Sequence, residues 1–268
     1  MKLNFCRSRN NVPVIIHGLF GSMGNVRPIA RTIESDYEVH LLEMRNHDDS
    51  PHDDEMSFNI MADDVIEYMD YKEIEKAYLV GHSMGGKIAM QIAHNYPEHI
   101  KKLIVADIYQ AHYPNYHNAL IDGFYAILDA KVTSRHEADK IMMEYSPSGA
   151  ERSFLLKNLY RKDDGTYGLK LKVKAIDNNY SILREAPTGN PYREPTLFIK
   201  GKDSAYIQAK HKETILELFP NVSLKIIENT GHYLHVDKSK VFNGIVKGFL
   251  EQDMEAPIPQ MPPIYTGA

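Results

Sequence analysis

The apolar positions of the chain follow two periodicities that alternate along the sequence. Continuously apolar runs rich in β-branched residues are typical of strands buried on both faces of a parallel sheet. Six such runs cover residues 12–18, 37–44, 76–82, 101–108, 195–201 and 223–229. Between them, apolar residues recur three and four positions apart, which indicates amphipathic helices. The clearest of these patterns cover residues 25–35, 58–69, 87–96, 210–219 and 240–250. This alternation predicts an α/β fold with crossover helices.

The alternation stops between about residues 109 and 190. Four helical patterns follow one another there without a clear buried strand, at residues 115–128, 134–145, 151–160 and 170–183. We therefore predict a helical cap, residues 109–190, inserted into a core formed by residues 1–108 and 191–252. Residues 253–268 are rich in proline and are predicted to form an extended tail.

Composition narrows the class of protein. A chain of 268 residues with 43% hydrophobic and 25% charged residues suits one domain carrying an insertion. A net charge of −5 gives no electrostatic reason to expect nucleic acid or a membrane surface as partner. No apolar run is long enough to span a bilayer, and the N-terminus lacks the apolar region of a signal peptide. The single cysteine, Cys6, suits a reducing compartment, so we expect a cytoplasmic protein. We expect it to be a monomer or a homodimer.

One serine lies between glycines at the junction of a predicted strand and a predicted helix, in Gly81-His82-Ser83-Met84-Gly85. The pattern G-x-S-x-G in this context is typical of a nucleophile elbow, a strained turn that presents the serine hydroxyl. Small neighbours are needed because the backbone passes close to adjacent elements. The alternative is a glycine-rich turn with an incidental serine, but the strand before it and the helix after it favour the elbow.

A serine nucleophile needs a base to take its proton, and the base needs a carboxylate to orient it. The segment after the last predicted strand contains two histidines, His232 and His235. We predict His232 as the base because it lies nearest the strand end, and His235 as a supporting or packed histidine.

A second glycine-rich stretch, "HGLFGS" at residues 17–22, directly follows the first predicted strand. It would bring a backbone N–H beside the elbow, where an oxyanion could be bound. We predict Leu19 as this donor, with Phe20 as the alternative, and the Met84 N–H as the second donor.

Taken together, "HGLFGS", "EMRNHDDSPHDDEMSF", "GHSMGGK", "VADI", "LFIKGKDS" and "GHYLHV" resemble the α/β-hydrolase superfamily in order and spacing. The motifs look like those of the small bacterial YbfF-type esterases, which are related to the mitochondrial ABHD-type hydrolases, and the resemblance covers about residues 12–250. The resemblance implies a mostly parallel sheet flanked by helices, with a helical cap inserted after the sixth strand. It also implies a cofactor-free serine esterase or thioesterase, acting on small to medium acyl esters or acyl-CoA.

The resemblance bears on the acid of the triad, for which the sequence offers Asp107 and Asp203. The commoner position follows a later strand in a G-x-x-D pattern, but here Ser204 stands at that position and Asp203 is one residue early. The YbfF-type enzymes have their acid at the end of "VADI" instead. We therefore predict Asp107, with Asp203 as the alternative.

The predicted cap and the acidic segment give further candidates. The predicted cap is rich in aromatic residues and should cover the site. The candidate substrate-binding residues are Phe20 of the 17–22 stretch and, from the cap, Tyr109, Tyr113, Phe124 and Tyr125. The acidic segment 45–55 departs from the family, which usually has glycine at Asp48 and aspartate at Glu43. Its two histidines and five carboxylates have no convincing metal-ligand spacing, so we predict no metal.

Two other functions compete with ester hydrolysis. A carbon–carbon bond hydrolase or lyase could use the same scaffold, because a fold does not determine a reaction. A non-catalytic ligand-binding protein is the alternative outside enzymes, although the chain retains all three types of triad residue.

Overall fold

The structure is a computed structural model that describes residues 12–252, so Cys6 and the predicted tail 253–268 lie outside the described residues. Its strands are β1 (Val12–Ile16), β2 (His40–Leu42), β3 (Ala77–His82), β4 (Ile100–Ala106), β5 (Leu159–Arg161), β6 (Tyr167–Leu169), β7 (Thr196–Gly201) and β8 (Val222–Ile227). Six of them form a parallel sheet in the order β2-β1-β3-β4-β7-β8. The predicted parallel α/β fold is confirmed.

Side chains of each central strand alternate between two apolar cores, because successive residues of a strand point to opposite faces. On β1, Val14 and Ile16 belong to one core and Ile15 belongs to the other. Both faces are therefore covered, which explains why these strands read as continuous apolar runs. The carboxyl ends of the parallel strands all meet at one edge of the sheet, where α/β proteins bind their ligands.

The helices of the core are α1 (Met23–Ile33), α2 (Phe58–Tyr71), α3 (Met84–Asn95), α8 (Lys212–Leu218), α9 (Leu234–Asp237) and α10 (Ser239–Glu251). Apolar residues of α1 and α10 line one face of the sheet, and those of α2 and α3 line the other. The helix α2 begins where Ser57 accepts a hydrogen bond from the Ile60 N–H, at 3.2 Å. Such a cap satisfies a free N–H of the first turn.

Between β4 and β7 the chain forms α4 (Asn118–Asp129), α5 (Arg135–Met142), α6 (Gly149–Leu155) and α7 (Val173–Leu183), together with the β5–β6 hairpin. Within the described residues this insertion follows the fourth strand of the chain, whereas the resemblance implied the sixth. The hairpin was not predicted. The segment 151–160, predicted as one helix, ends in a short 3-10 turn and enters β5 at Leu159.

The second predicted strand is shorter than its apolar run. Only His40–Leu42 pair with β1, opposite Val14–Ile16, and β2 is the edge of the sheet. The pairing covers only these three positions, so the rest of the run at 37–44 forms loop. The segment that follows β2 then contacts the loop after β1.

Glu43, which directly follows β2, gives a testable dependence of stability on pH. It is 9% exposed, and its Oε1 accepts a hydrogen bond from the Met23 N–H at 2.7 Å. Burial raises the pKa of Glu43 to about 7. The native carboxyl therefore binds its proton more tightly than the unfolded one, so stability is lost as the pH rises from about 4.5 to 7.

We expect Glu43→Gln to remove this loss, because the amide is neutral and its oxygen still accepts from Met23. The variant should exceed the wild type in free energy of unfolding by up to about 3 kcal/mol at pH 8.5 and match it near pH 4.5. Urea unfolding at both pH values checks this. A variant less stable than the wild type at pH 8.5 would contradict it.

Candidate active site

The serine of the G-x-S-x-G pattern lies at a strained turn between β3 and α3. Ser83 has φ 53° and ψ −120°, a conformation that is costly for a residue with a side chain. Its N–H donates to the Ala106 carbonyl at 3.0 Å, which fixes the turn against β4. The turn is tight, since a Cβ atom on Gly81 would lie 2.2 Å from the Gly85 oxygen, and one on Gly85 2.4 Å from the Ile16 oxygen.

Three side chains from separate strand ends meet at this turn. The Oγ of Ser83 lies 2.9 Å from the Nε2 of His232, which follows β8. The Nδ1 of His232 lies 2.8 Å from the Oδ2 of Asp107, which follows β4. Asp107 is fully buried, and its Oδ1 accepts from the Gly201 N–H at 2.9 Å. This chain of hydrogen bonds can move a proton from the serine hydroxyl to the imidazole.

The alternative acid lies elsewhere. Asp203 is exposed, and its backbone N–H donates to the Thr230 carbonyl at 3.1 Å. Its neighbour Ser204, at the commoner acid position, donates from its hydroxyl to the Oδ2 of Asp107. The common acid position and the strand-end position are therefore hydrogen-bonded to each other, since the Ser204 hydroxyl holds the Asp107 carboxylate.

The two histidines of the last loop occupy different places. His235 is 3% exposed and its ring lies 4.1 Å from that of His82, away from the Ser83 hydroxyl. His82 in turn donates from its Nε2 to the backbone carbonyl of His232 at 2.9 Å. Burial lowers the pKa of both His82 and His235, to about 3 for His235, so both rings are neutral and support the loop that carries His232.

The glycine-rich loop after β1 offers backbone donors next to Ser83. Leu19 and Met84 both line the cavity beside the serine, and in residues 12–252 no acceptor is hydrogen-bonded to either N–H group. Phe20 was the alternative donor, and the structure argues against it. Its N–H donates to the Nε2 of His47 at 3.2 Å, so it is already used.

Buried neutral histidines hold this loop in place. His17 donates from Nδ1 to the Gly18 carbonyl at 2.8 Å, and its Nε2 accepts from the Met44 N–H at 3.1 Å. Burial lowers the pKa of His17 to about 4 and that of His47 to about 3. Each neutral ring can therefore accept at one nitrogen and donate at the other, as these contacts require.

A small cavity opens beside Ser83 under the inserted helices. Its lining is mostly aromatic and aliphatic: Leu19, Ser83, Met84, Lys87, Ile108, Tyr113, Pro114, Tyr116, His117, Tyr180, Leu183, Arg184 and Tyr206. Of the predicted substrate-binding residues, only Tyr113 is in this lining. The others are packed elsewhere.

Each of the other four predicted residues has an internal partner. Phe20 packs edge-on against the fully buried Phe124, with ring centres 5.2 Å apart. Tyr109 stacks on His211 at 4.6 Å. Tyr125 donates to the Asp177 carboxylate at 3.1 Å. These contacts hold the four side chains outside the lining of the cavity.

The loop after β7 also carries Tyr206, whose ring stacks on the ring of His232. The ring centres are 4.1 Å apart with an angle of 25° between the planes. The Tyr206 carbonyl accepts from the Tyr113 hydroxyl at 2.9 Å, which fixes the loop against the cap entry. Tyr206 therefore limits the rotation of the imidazole toward the cavity.

We expect Tyr206→Ala to lower kcat/KM by about 3- to 10-fold, since aromatic stacking contributes about 0.5–1.5 kcal/mol. Tyr206→Phe is the matched control. It keeps the ring, and in the described part of the chain no group is hydrogen-bonded to the Tyr206 hydroxyl, so it should stay within about twofold of wild type. Equal losses in both variants would assign the effect to the hydroxyl and contradict the stacking role.

Lys87, one helical turn after Ser83, joins the core to both ends of the insertion. Its Nζ donates to the carbonyls of Ala111, Arg184 and Glu185 at 3.0, 3.0 and 2.6 Å. Burial lowers its pKa to about 7. The three carbonyls accept all three protons of the ammonium group, so Lys87 serves as a structural tie between α3 and the cap.

The acidic segment 45–55 serves as a docking surface for the cap. Asp48 adopts φ 43°, and its carboxylate pairs with Lys170. Asp54 pairs with Lys172 at 2.7 Å. Over residues 12–252, no group of three or more histidine, cysteine or carboxylate side chains is arranged to hold a metal.

Several site residues carry little or no local signal in the sequence. Ser204, Tyr206 and His82 act through neighbours from other elements, so only the fold brings them to Asp107 and His232. The cavity residues His117, Tyr180 and Arg184 belong to helical patterns whose inner faces depend on how the cap is seated. Two of the site residues have a pointer in the sequence, since His82 is the x position of G-x-S-x-G and Ser204 stands at the acid position of the G-x-x-D pattern.

The chain is similar to known proteins over most of its length. A family model described as the alpha/beta hydrolase fold matches residues 14–239. The esterase YbfF of Escherichia coli is 30% identical over 93% of this chain and 99% of its own. The sn-1-specific diacylglycerol lipase ABHD11 of Xenopus laevis is 33% identical over 89% of this chain and 79% of its own. A solved structure titled "Marine microorganism esterase" superposes with a TM-score of 0.88 at 35% identity, covering 92% of this chain and 97% of that one.

Proposed function

Because the chain belongs to the α/β-hydrolase fold family, we propose that it hydrolyses carboxylic esters with Ser83 as nucleophile, His232 as general base and Asp107 as orienting acid. The class of enzyme, a carboxylic ester hydrolase, follows from relatives named as esterase and lipase that match most of the chain. The observation that carries the mechanism is the hydrogen-bonded series from Ser83 through His232 to Asp107, with distances of 2.9 and 2.8 Å.

The proposed reaction has two acyl transfers. The Ser83 oxygen attacks the ester carbonyl carbon while His232 takes the hydroxyl proton, and the tetrahedral intermediate forms. The carbon–oxygen bond to the alcohol then breaks, and His232 gives the alcohol its proton, which leaves an acyl-enzyme on Ser83. Water attacks this ester with His232 as base, and the acid leaves as the Ser83 hydroxyl is restored.

The negative charge that develops on the carbonyl oxygen needs donors already in place. The unused N–H groups of Leu19 and Met84 support this role, and Met84 begins helix α3, whose N-terminal end favours an anion. Each such donor contributes on the order of 3 kcal/mol in comparable sites. Asp107 would keep the Nδ1 proton of His232 directed away from Ser83.

We further propose that residues 109–190 form the cap and select the acyl group. The small aromatic cavity supports small to medium acyl esters, and the same chemistry would act on thioesters, including acyl-CoA. No helix in residues 12–252 is long and apolar enough to cross a membrane. A cytoplasmic location remains a prediction from the single cysteine.

The proposal is tested by the turnover of short-chain p-nitrophenyl esters and matched acyl thioesters by the wild type and by Ser83→Ala. We expect ester turnover in the wild type and its loss in the variant, with an unchanged melting temperature. Turnover that survives in Ser83→Ala would contradict the mechanism. A stable wild-type protein that cleaves neither substrate would instead favour a carbon–carbon bond hydrolase or a non-catalytic binding protein.

A further inference from the structure

The cavity beside Ser83 has an unusual balance of charge for an acidic protein. The chain has a net charge of −5, yet the lining contains two basic side chains, Lys87 and Arg184, and no carboxylate. Asp107 lies behind His232, and Glu185 pairs with His112 at 3.2 Å. The Lys87 ammonium group donates to three backbone carbonyls, so Arg184 is the basic side chain of the lining that is available to a ligand.

One guanidinium nitrogen of Arg184 lacks an acceptor. This nitrogen, Nε, is shielded from solvent and has no hydrogen-bond partner, and within residues 12–252 Arg184 forms no ion pair. Its central carbon lies 5.9 Å from the ring centre of Tyr180, another residue of the cavity lining. Buried donors without partners are rare in proteins, and such a group at a ligand cavity indicates where a ligand would bind.

A second donor lines the same cavity. The Tyr180 hydroxyl oxygen accepts from the His117 backbone N–H at 2.9 Å and lies 2.8 Å from the His117 Nδ1. We assign the hydroxyl as the donor to Nδ1, which puts the ring proton on Nε2. Burial lowers the pKa of His117 to about 4, so the ring is neutral. No acceptor among the described residues is hydrogen-bonded to this Nε2.

We propose that the cavity selects esters that also carry an ionised carboxylate, which Arg184 binds with the help of the His117 Nε2–H. The inference rests on the proposed ester hydrolysis and specifies its substrate class. A carboxylate is planar and accepts two parallel hydrogen bonds, which matches the fork of a guanidinium. The apolar remainder of the lining would hold the short carbon chain between the carboxylate and the ester.

Matched pairs of esters test this directly. Monomethyl succinate and methyl levulinate have nearly the same shape, but only the first carries a carboxylate on the acyl side. Acetoxyacetate and acetoxyacetone differ in the same way on the alcohol side. The measured quantity is the ratio of kcat/KM for the charged ester to that for its neutral partner, which cancels general changes in activity.

In the wild type we expect this ratio to be about 10 or more for one of the two pairs, since hydrogen bonds between ions are strong in a shielded site. In Arg184→Gln the ratio should fall at least about tenfold, and Arg184→Lys should retain part of it because the charge remains. Arg27→Gln, which removes an exposed arginine on α1, is the matched control and should leave the ratio unchanged. Arg184→Gln should keep a melting temperature close to that of the wild type, because within residues 12–252 Arg184 forms no ion pair that the substitution would break.

The outcomes separate this inference from the proposed function. Ratios near one for both pairs, in a wild type that hydrolyses p-nitrophenyl acetate, would overturn the carboxylate selection alone. A preference that Arg184→Gln leaves intact would also overturn it. A folded wild type that does not hydrolyse p-nitrophenyl acetate would instead overturn the proposed ester hydrolysis.

Discussion

Asp107→Asn is expected to lower kcat by about 10⁴-fold, the loss seen when the orienting acid of a comparable triad becomes an amide. The Oδ1 of Asp107 accepts from the Gly201 N–H, so an asparagine would keep its oxygen there and turn its NH₂ group toward His232. The Nδ1 of His232 would then have to accept, and its proton would move to Nε2. That nitrogen could no longer take the proton of Ser83.

Asp203→Asn is the matched control, because it makes the same chemical change at the alternative acid. Asp203 is exposed and no side-chain contact joins it to His232 among the described residues, so kcat should stay within about twofold of wild type. Steady-state turnover of a p-nitrophenyl ester by the two variants checks both. If Asp203→Asn carries the large loss, the acid assignment is wrong.

Gly81→Ala is expected to destabilise the protein by about 3 kcal/mol or more, because the added methyl group has no room. Its Cβ would lie 2.2 Å from the Gly85 oxygen and 2.6 Å from the Gly86 nitrogen. These are backbone atoms of the first turn of α3, which cannot yield as a flexible side chain could. The substitution must push α3 away from β3 and displace Ser83, so activity should fall with stability.

Gly244→Ala is the control for a glycine that only weakens a helix. Gly244 lies within α10, and a Cβ there would meet no atom within 4 Å. Alanine should therefore stabilise the protein by about 0.5–1 kcal/mol. Urea unfolding of both variants measures the difference. A Gly81→Ala protein as stable as wild type would show that the elbow is less tight than its contacts indicate.

The parts of the fold that depend on local pattern were predictable. The strands of the parallel sheet are buried on both faces, so their sequences are continuously apolar, and five of the six predicted strands are close to full length in the sheet. The β5–β6 hairpin was missed, although Asp164-Gly165 is a turn signal and Gly165 has φ 84°. The sequence around it was read as part of a helical cap.

The site was predictable where a motif or the order of the strands defines the position of a residue. Ser83 and Met84 follow from the strand–turn–helix context, whereas Asp107 was preferred over Asp203 by resemblance alone. Positions in the cap could not be placed, because an amphipathic helix shows which face is apolar but not whether that face meets the core or a cavity. Phe124 and Arg184 illustrate both outcomes, since the first is packed and the second lines the cavity.

The central claim is that Ser83 is a nucleophile activated by His232, and covalent labelling with a fluorophosphonate tests it most directly. Peptide mass spectrometry would locate the adduct in the wild type, Ser83→Ala and Asp107→Asn. We predict one adduct on the peptide that contains Ser83, none in Ser83→Ala and much slower labelling in Asp107→Asn. An adduct on another residue, or none on folded wild-type protein, would contradict the claim.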